Sequence, residues 1–177
     1  EKGEGYIDYL WPRPGPDGLL PETPKWSYVR YFPAWEWVIG TGIYTDDARA
    51  DAIEKSKDDL RSMRYDGGTG YFWINDMGQP IPRMVMHPAY PELEGALLDN
   101  PEFMCVGAGK ANLFVEAVDV CRANGGGYIE YLWPKPGQED SEEPEKKLAY
   151  VRLVESPGWV RGTGAYLEDV DRIITEQ

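Results

Sequence analysis

GYIEYLWPKPG (127–137) and GYIDYLWPRPG (5–15) are nearly the same eleven residues, and they occur in one chain of 177 residues. Shifting the chain by 122 residues aligns 3–47 with 125–169 without a gap, and 21 of the 45 aligned positions are identical. The chain therefore contains an internal repeat, and we expect the same structural element to occur twice in the fold.

Each copy of the repeat has the pattern of three short antiparallel strands. In the second copy, GYIEYLW (127–133) is rich in aromatic and β-branched residues and ends at a Pro-Lys-Pro-Gly turn. KLAYVRLV (147–154) and WVRGTGAYL (159–167) follow as strands, and the two glycines of the latter indicate close backbone packing. The acidic segment QEDSEEPEK (138–146) is predicted to be a solvated loop, since it lacks the ligand spacing and central glycine of a calcium loop.

A long helix is predicted directly after the first copy, from about Asp46 to Tyr65. Its first turn is acidic, which suits the positive end of the helix dipole, and Thr45 is placed to cap it. Gly67 and Gly68 then end the helical pattern.

Two strands and a second helix occupy the rest of the segment between the copies. TGYFWIND (69–76) and PRMVMH (82–87) have the composition of strands. NLFVEAVDVCRAN (112–124) predicts an amphipathic helix that ends at Asn124 and Gly125. Its apolar stripe consists of Leu113, Phe114, Ala117, Val118 and Cys121.

The order of these elements predicts an α+β fold with one five-stranded antiparallel sheet. Residues 1–45 then form the last three strands of a first unit that is only partly present. Residues 46–66 form a long connecting helix, and 67–177 form the remainder of a complete second unit, which ends in a helix from about Leu167.

Six motifs occur in the order that is typical of Cache domains: YFWIND, MVMHP, PELEG, GYIEYLWPKPG, K-x-x-YVR and GWVRGTGAY. In these motifs the chain resembles the Cache family, the extracytoplasmic sensor domains of bacterial chemoreceptors, histidine kinases and related transducers. The resemblance covers 56–177 and, as a partial second domain, 3–47, and it is to the single-Cache type in tandem. It implies a PAS-like five-stranded sheet with a long N-terminal helix, flanking helices and a ligand pocket on one face.

The resemblance also implies a function for the complete unit. It would be the ligand-sensing domain of a transmembrane chemoreceptor or sensor kinase, periplasmic or at the outer face of the inner membrane, with its membrane segment outside this chain. The ligand would be a small organic acid such as acetate, propionate, pyruvate or lactate. The alternative is a structural or dimerisation spacer that binds no ligand. A homodimer stays open, because the long helix has only a sparse apolar stripe.

The aromatic residues support a pocket independently of the resemblance. A site for a small carboxylate needs a few donors among apolar walls that exclude water. Alternation along YFWIND places Tyr71 and Trp73 on one face of their strand, and Tyr131 shares a face with Trp133. Tyrosine and tryptophan each offer a flat wall with one polar group.

Three basic side chains could supply the positive charge or an additional donor. His87 is the single histidine, ends a strand, and belongs to a residue type that titrates near neutral pH. Arg64 suits a carboxylate through two parallel hydrogen bonds, and Lys147 begins a strand. The predicted ligand-binding residues are Arg64, Tyr71, Trp73, His87, Tyr131, Lys147 and Tyr150.

Each candidate also has a structural interpretation that the sequence leaves open. Tyr71 and Trp73 fit a hydrophobic core, and His87 fits a cap of the loop that follows it. Lys147 fits a solvated strand end, and Arg64 fits a surface ion pair. In the first unit the counterparts of the residues before the repeat are absent from the chain, so we expect no competent pocket there.

Composition argues against other functions. The net charge is −13 and the basic residues are scattered, which argues against nucleic acid as a partner. VGAGKAN (106–112) lacks the first glycine and the Ser/Thr of a phosphate loop, and no hydrolase or zinc-protease motif occurs. We predict no enzyme, no cofactor and no metal site. Cys105 and Cys121 are expected as two buried thiols or as one disulfide bridge.

Overall fold

The computed structural model of this protein describes residues 3–107, 111–138 and 144–175. The chain divides into two compact units, Glu1–Ser56 (unit 1) and Lys57–Gln177 (unit 2). Within the three described ranges, no helix has both the length and the apolar character that a membrane crossing requires.

Two of the sequence predictions fall on residues that lie outside these ranges. Residues 139–143 make up most of the acidic segment predicted as a loop. Residues 108–110 are the centre of the stretch compared with a phosphate loop.

Unit 1 contains a three-stranded antiparallel sheet in the order β1-β2-β3. The strands are β1 (Glu4–Gly15), β2 (Gly18–Phe32) and β3 (Trp37–Tyr44). The helix α1 (Thr45–Ser62) follows β3 without a loop. It ends before the predicted Tyr65 because the backbone of Tyr65 exchanges hydrogen bonds with Gly70 instead of continuing the helix.

Unit 2 contains the predicted five-stranded antiparallel sheet, in the order β5-β4-β8-β7-β6. The fold is therefore α+β with few helices, as predicted. Its strands are β4 (Phe72–Asp76), β5 (Met84–Met86), β6 (Gly126–Trp133), β7 (Glu145–Val154) and β8 (Trp159–Tyr166). Its helices are α2 (Leu113–Asn124) and α3 (Leu167–Thr175), with short 3-10 helices at Asp66–Gly68, Pro91–Leu93 and Pro101–Phe103.

The helix α2 packs its apolar stripe against the sheet of unit 2. All five residues of the predicted stripe are buried, and they belong to one core with the inward side chains of the strands. The Asn112 side chain accepts hydrogen bonds from the N–H groups of Phe114 and Val115, which caps the helix. Gly125 ends it at a φ of 73°, a conformation that favours glycine. The sequence predicted both ends of this helix correctly.

Both cysteines are free thiols. Cys121 is buried on α2 and Cys105 is half-buried. Burial raises the pKa of each thiol to about 11, so neither is a reactive thiolate at neutral pH.

The two glycines of β8 allow the close packing that their pattern predicts. Gly162 lies opposite Trp73 in the β4–β8 pair, and a Cβ atom there would overlap the indole ring. A Cβ atom at Gly164 would meet the carbonyl oxygen of Leu148 and the backbone of Ala149. Trp73 can lie flat across β8 only because residue 162 has no side chain.

We expect Gly162→Ala to lower the free energy of unfolding by about 1–3 kcal/mol, because the added methyl group has to displace Trp73 from a packed core. Calorimetric unfolding measures this change. Gly40→Ala is the matched control at the same repeat position in unit 1, where the new Cβ would lie 3.1 Å from a side-chain carbon of Val29 and 3.5 Å from a carbonyl oxygen. An equal loss in the free energy of unfolding for Gly162→Ala and Gly40→Ala would contradict the packing of Trp73 against Gly162.

Candidate ligand-binding site

Five of the predicted site residues lie together on the inner face of the sheet of unit 2. Tyr71 precedes β4 and Trp73 lies in it, Tyr131 lies in β6, Lys147 in β7, and His87 directly follows β5. All five side chains are buried. We call this group the inner-face cluster.

Lys147 is the charged centre of the inner-face cluster. Its side chain is 0% exposed, and its Nζ atom has no hydrogen-bond acceptor among the described residues. Nζ lies 3.9 Å from the ring centre of Tyr71 and 4.7 Å from that of Tyr166. Burial lowers the pKa of Lys147 to about 7, because the low dielectric disfavours the charged form.

His87 is a neutral hydrogen-bonding group in this structure. Its Nδ1 atom accepts a hydrogen bond of 3.0 Å from the N–H of Tyr90, so its proton lies on Nε2. Burial, with smaller contributions from the charges of Lys147 and Arg64, lowers the pKa of His87 to about 3. The expectation that it titrates near neutral pH was therefore wrong. The contact with Tyr90 also makes it the loop cap that the sequence left open.

The aromatic rings around Lys147 contact one another in a continuous chain. The ring centres of Tyr71 and His87 are 5.1 Å apart, those of His87 and Trp133 6.3 Å, and those of Trp133 and Tyr131 6.0 Å. Trp73 joins this chain through Tyr131 at 6.4 Å. The cluster therefore contains a continuous aromatic surface that reaches the lysine at Tyr71.

Several polar groups of these rings face the interior as donors. The indole N–H groups of Trp73 and Trp133 are buried and have no hydrogen-bond acceptor among the described residues. Burial raises the pKa of both Tyr71 and Tyr131 well above its usual value. The N–H of Trp133 acts in the opposite direction and lowers the pKa of Tyr71, although the two groups do not meet the geometry of a hydrogen bond. Both hydroxyl groups keep their protons at neutral pH.

Two predicted site residues lie elsewhere. Tyr150 is 41% exposed, and its ring contacts that of Tyr128 in a tilted arrangement, at 5.1 Å between ring centres. It lies three residues from Lys147 on one strand, and strand alternation therefore places it on the opposite face. Arg64 is exposed, and its guanidinium donates to the carbonyl oxygen atoms of Met63 and of Arg61. Its charge makes only a minor contribution to the lowered pKa of His87.

Sequence reasoning did not include Trp133, Tyr90 and Tyr166 in the site. Trp133 shares its strand face with Tyr131, and this alternation was the signal for it. Tyr90 lies in the loop after His87 and carries no motif of its own. Tyr166 is identical in both copies of the repeat, and this identity was the signal that could have identified it.

The counterparts of the cluster in unit 1 show what the covering elements contribute. Trp11, the repeat counterpart of Trp133, is 54% exposed, whereas Trp133 is 7% exposed. Lys25, the counterpart of Lys147, is only half-buried. The same strands therefore bury these side chains only where β4, β5 and α2 accompany them.

A family model of the Cache domain matches residues 1–49 and 48–177 of this chain. The chain belongs to the Cache family. Cache domains of this kind are extracytoplasmic sensor domains of membrane receptors, chemoreceptors among them, and they have a signalling rather than a catalytic role. The motif order in the sequence predicted this family correctly.

Two curated relatives are chemoreceptors. The methyl-accepting chemotaxis protein McpP of Pseudomonas putida (strain KT2440) is 35% identical over 133 residues, which are 73% of this chain and 22% of that protein. The methyl-accepting chemotaxis protein CtpM of Pseudomonas aeruginosa is 38% identical over 56 residues, which are 32% of this chain and 10% of that protein. The chain thus spans less than a quarter of the length of either relative.

Two solved structures share the fold with substantial sequence identity. One is a Cache chemosensory domain described for its recognition of carboxylic acids. It is 36% identical, with a TM-score of 0.55, over 67% of this chain and 73% of that one. The other is the periplasmic sensor domain of a chemotaxis protein. It is 43% identical, with a TM-score of 0.53, over 70% of this chain and 76% of that one.

We expect the buried lysine to make stability depend on pH. Between a folded pKa of about 7 and the usual 10.5, the unfolded chain holds the Lys147 proton and the fold does not. The free energy of unfolding should therefore rise with pH in this window, by up to about 1.4 kcal/mol per pH unit. Below pH 7 both states are protonated and the penalty of the buried charge is present in full.

The comparison of wild type with Lys147→Met isolates this effect. Methionine removes the titrating group and keeps the length of the side chain, so Lys147→Met should be more stable than wild type at pH 6. The difference should shrink between pH 7 and pH 9 in denaturant titrations. A difference that is independent of pH would contradict the burial of an unpaired lysine.

Proposed function

We propose that unit 2 is the ligand-sensing domain of a bacterial transmembrane signalling protein, a chemoreceptor or sensor kinase, and that it binds a small organic acid in the inner-face cluster. The ligands we expect are acetate, propionate, pyruvate or lactate. The observation that carries the proposal is the ammonium group of Lys147, which is buried without an acceptor among the described residues.

A buried charge without a partner is costly and persists in proteins mainly where a function requires it. The faces of Tyr71 and Tyr166 offset part of this cost through cation–π contacts. A bound anion would offset the rest. Lys147, at a pKa of about 7, would then be protonated in the complex, because a negative charge within hydrogen-bond distance favours the charged form.

The remaining groups of the cluster suit a carboxylate with a short apolar chain. The unpaired indole N–H of Trp73 and that of Trp133 can donate to carboxylate oxygen atoms, and so can the protonated Tyr71 and Tyr131. The buried residues of the core around the cluster are mainly apolar, which favours a small aliphatic group and disfavours a second charge. The related chemosensory domain described for carboxylic acid recognition supports the same ligand class.

The setting of the whole protein is part of this proposal. Both chemoreceptor relatives are much longer than this chain, and one related structure is a periplasmic sensor domain. We infer that the chain is the extracytoplasmic part of a membrane-anchored receptor and that α3 leads towards its output. Ligand binding would act by population shift, favouring one arrangement of the sheet and its flanking helices.

Isothermal titration and thermal unfolding with the four acids test the ligand class. A ligand at 100 times its Kd should add about 2.7 kcal/mol of stability. Lys147→Met should abolish binding and leave the protein folded. Lys146→Met is the matched control, because Lys146 is the exposed neighbour that pairs with Glu130 on the outer face. Absence of binding by any carboxylate to the folded wild type would support the spacer function instead.

A second variant tests the position of the site. Trp73→Phe keeps an aromatic wall and removes the indole N–H, so we expect a loss of about tenfold in affinity, the usual effect of a hydrogen bond to a charged group. Trp159→Phe is the control, since Trp159 is half-buried and lies outside the cluster. Equal affinities of the two variants would place the ligand away from Trp73.

A further inference from the structure

Tyr166 connects the inner-face cluster to the C-terminal helix by its position in the chain. It is the last residue of β8, and α3 begins at the next residue. Its ring is 1% exposed, and its hydroxyl donates to the carbonyl oxygen of Pro134 at 2.7 Å. A change in the position of this ring would therefore act directly on the first turn of α3.

Two lysines approach the Tyr166 ring. The Nζ atom of Lys147 is 4.7 Å from the ring centre and that of Lys135 is 5.3 Å from it. Lys135 is balanced by Glu145 at 2.8 Å and by Asp169, in the first turn of α3, at 3.2 Å. Lys147 has no acceptor among the described residues. One ring thus joins the unbalanced charge of the site to the ion pair at the start of α3.

The same arrangement occurs at the end of β3 in unit 1. Arg13 and Lys25 lie 4.6 Å and 4.8 Å from the ring centre of Tyr44, whose hydroxyl donates to Pro12 at 3.0 Å. Arg13 also pairs with Asp47 of α1 at 2.9 Å. All five of these residues are repeat counterparts of residues in the unit 2 arrangement: Pro12 of Pro134, Arg13 of Lys135, Lys25 of Lys147, Tyr44 of Tyr166 and Asp47 of Asp169.

The recurrence shows that the arrangement belongs to the strand–helix junction. Unit 1 has no counterparts of Tyr71, Trp73 and His87 among its residues, so a complete inner-face cluster is not needed to form it. Arg13 and Lys135 occupy equivalent positions of the repeat, so both units have a positive charge there although the side chains differ. In unit 2 alone, the same junction additionally contacts a buried cluster of donors.

We propose that Tyr166 is a positioning residue that transmits occupation of the site to α3. Lys147 has no carboxylate partner among the described residues, whereas Lys135 already has two, so Lys147 is the lysine that gains a partner when a carboxylate binds. A carboxylate bound to Lys147 would fix its ammonium group against the Tyr166 ring, and the ring would in turn fix Lys135 and its ion pair with Asp169. The inference rests on the proposed function, and it predicts that ligand makes the first turns of α3 more rigid.

Amide hydrogen exchange of the full chain, with and without sodium propionate, measures this effect. In wild type we expect exchange across 167–175 to slow several-fold when propionate is bound. Tyr166→Phe keeps the ring and should keep the slowing. Tyr166→Leu removes the ring and should lose the slowing even at propionate concentrations that saturate this variant. A purely structural role would change exchange equally with and without propionate.

Two further variants keep the inference testable if Tyr166→Leu fails to fold. Lys135→Gln leaves both the ring and the site in place and should also lose the slowing. Tyr44→Leu is the matched control in unit 1 and should leave the response of α3 unchanged. Slowing of normal size in Lys135→Gln and in Tyr166→Leu would overturn the inference.

A ligand-free measurement separates this inference from the proposed function. Lys147→Met removes the ammonium group that contacts the Tyr166 ring, so α3 should exchange faster than in wild type without any ligand. If propionate does not bind to wild type, the proposed function fails for that acid. The inference is then tested by the exchange of α3 in ligand-free Lys147→Met alone. Unchanged exchange of α3 in ligand-free Lys147→Met would overturn it.

Discussion

The structure of unit 2 depends on one constraint, the buried ammonium group of Lys147, which has no acceptor among the described residues. Lys147 is fully buried, and aromatic faces rather than carboxylates surround its Nζ atom. Such a charge destabilises a fold unless something supplies the opposite sign. His87 stays neutral beside it, and the nearby tyrosines keep their protons, so the cluster offers donors and lacks a negative charge. That chemistry is complementary to an anion.

The internal repeat separates what the strands contribute from what covers them. Unit 1 and unit 2 share the lysine, the tyrosine at the end of the last strand and the ion pair to the following helix. In unit 2, β4 and α2 close the face, and the absence of a side chain at Gly162 lets Trp73 lie across β8. The strands of the repeat therefore supply the lysine and the contacts with the following helix, and β4 and α2 bury the lysine in unit 2.

Much of the site was predictable from strand alternation and from chemistry. Alternation grouped Tyr71 with Trp73. The structure brings Tyr71 next to Lys147 and His87, and it brings Trp73 next to Tyr131. The same rule, applied to β7, would have excluded Tyr150, because an odd separation from Lys147 places it on the other face. The protonation of His87 was not predictable, because its lowered pKa comes from burial and from charges on distant residues.

The sequence alone was sufficient for the repeat, the order of the elements, the α+β class and the family, because these depend on local patterns that a linear chain displays directly. Only the tertiary structure decided which polar groups lack partners and which protons they keep. Lys147, Tyr166 and Tyr71 come from different strands and a loop, and the distances between them exist only after folding. Burial and charge act through those distances, so the electrostatics of the site is a property of the packed fold.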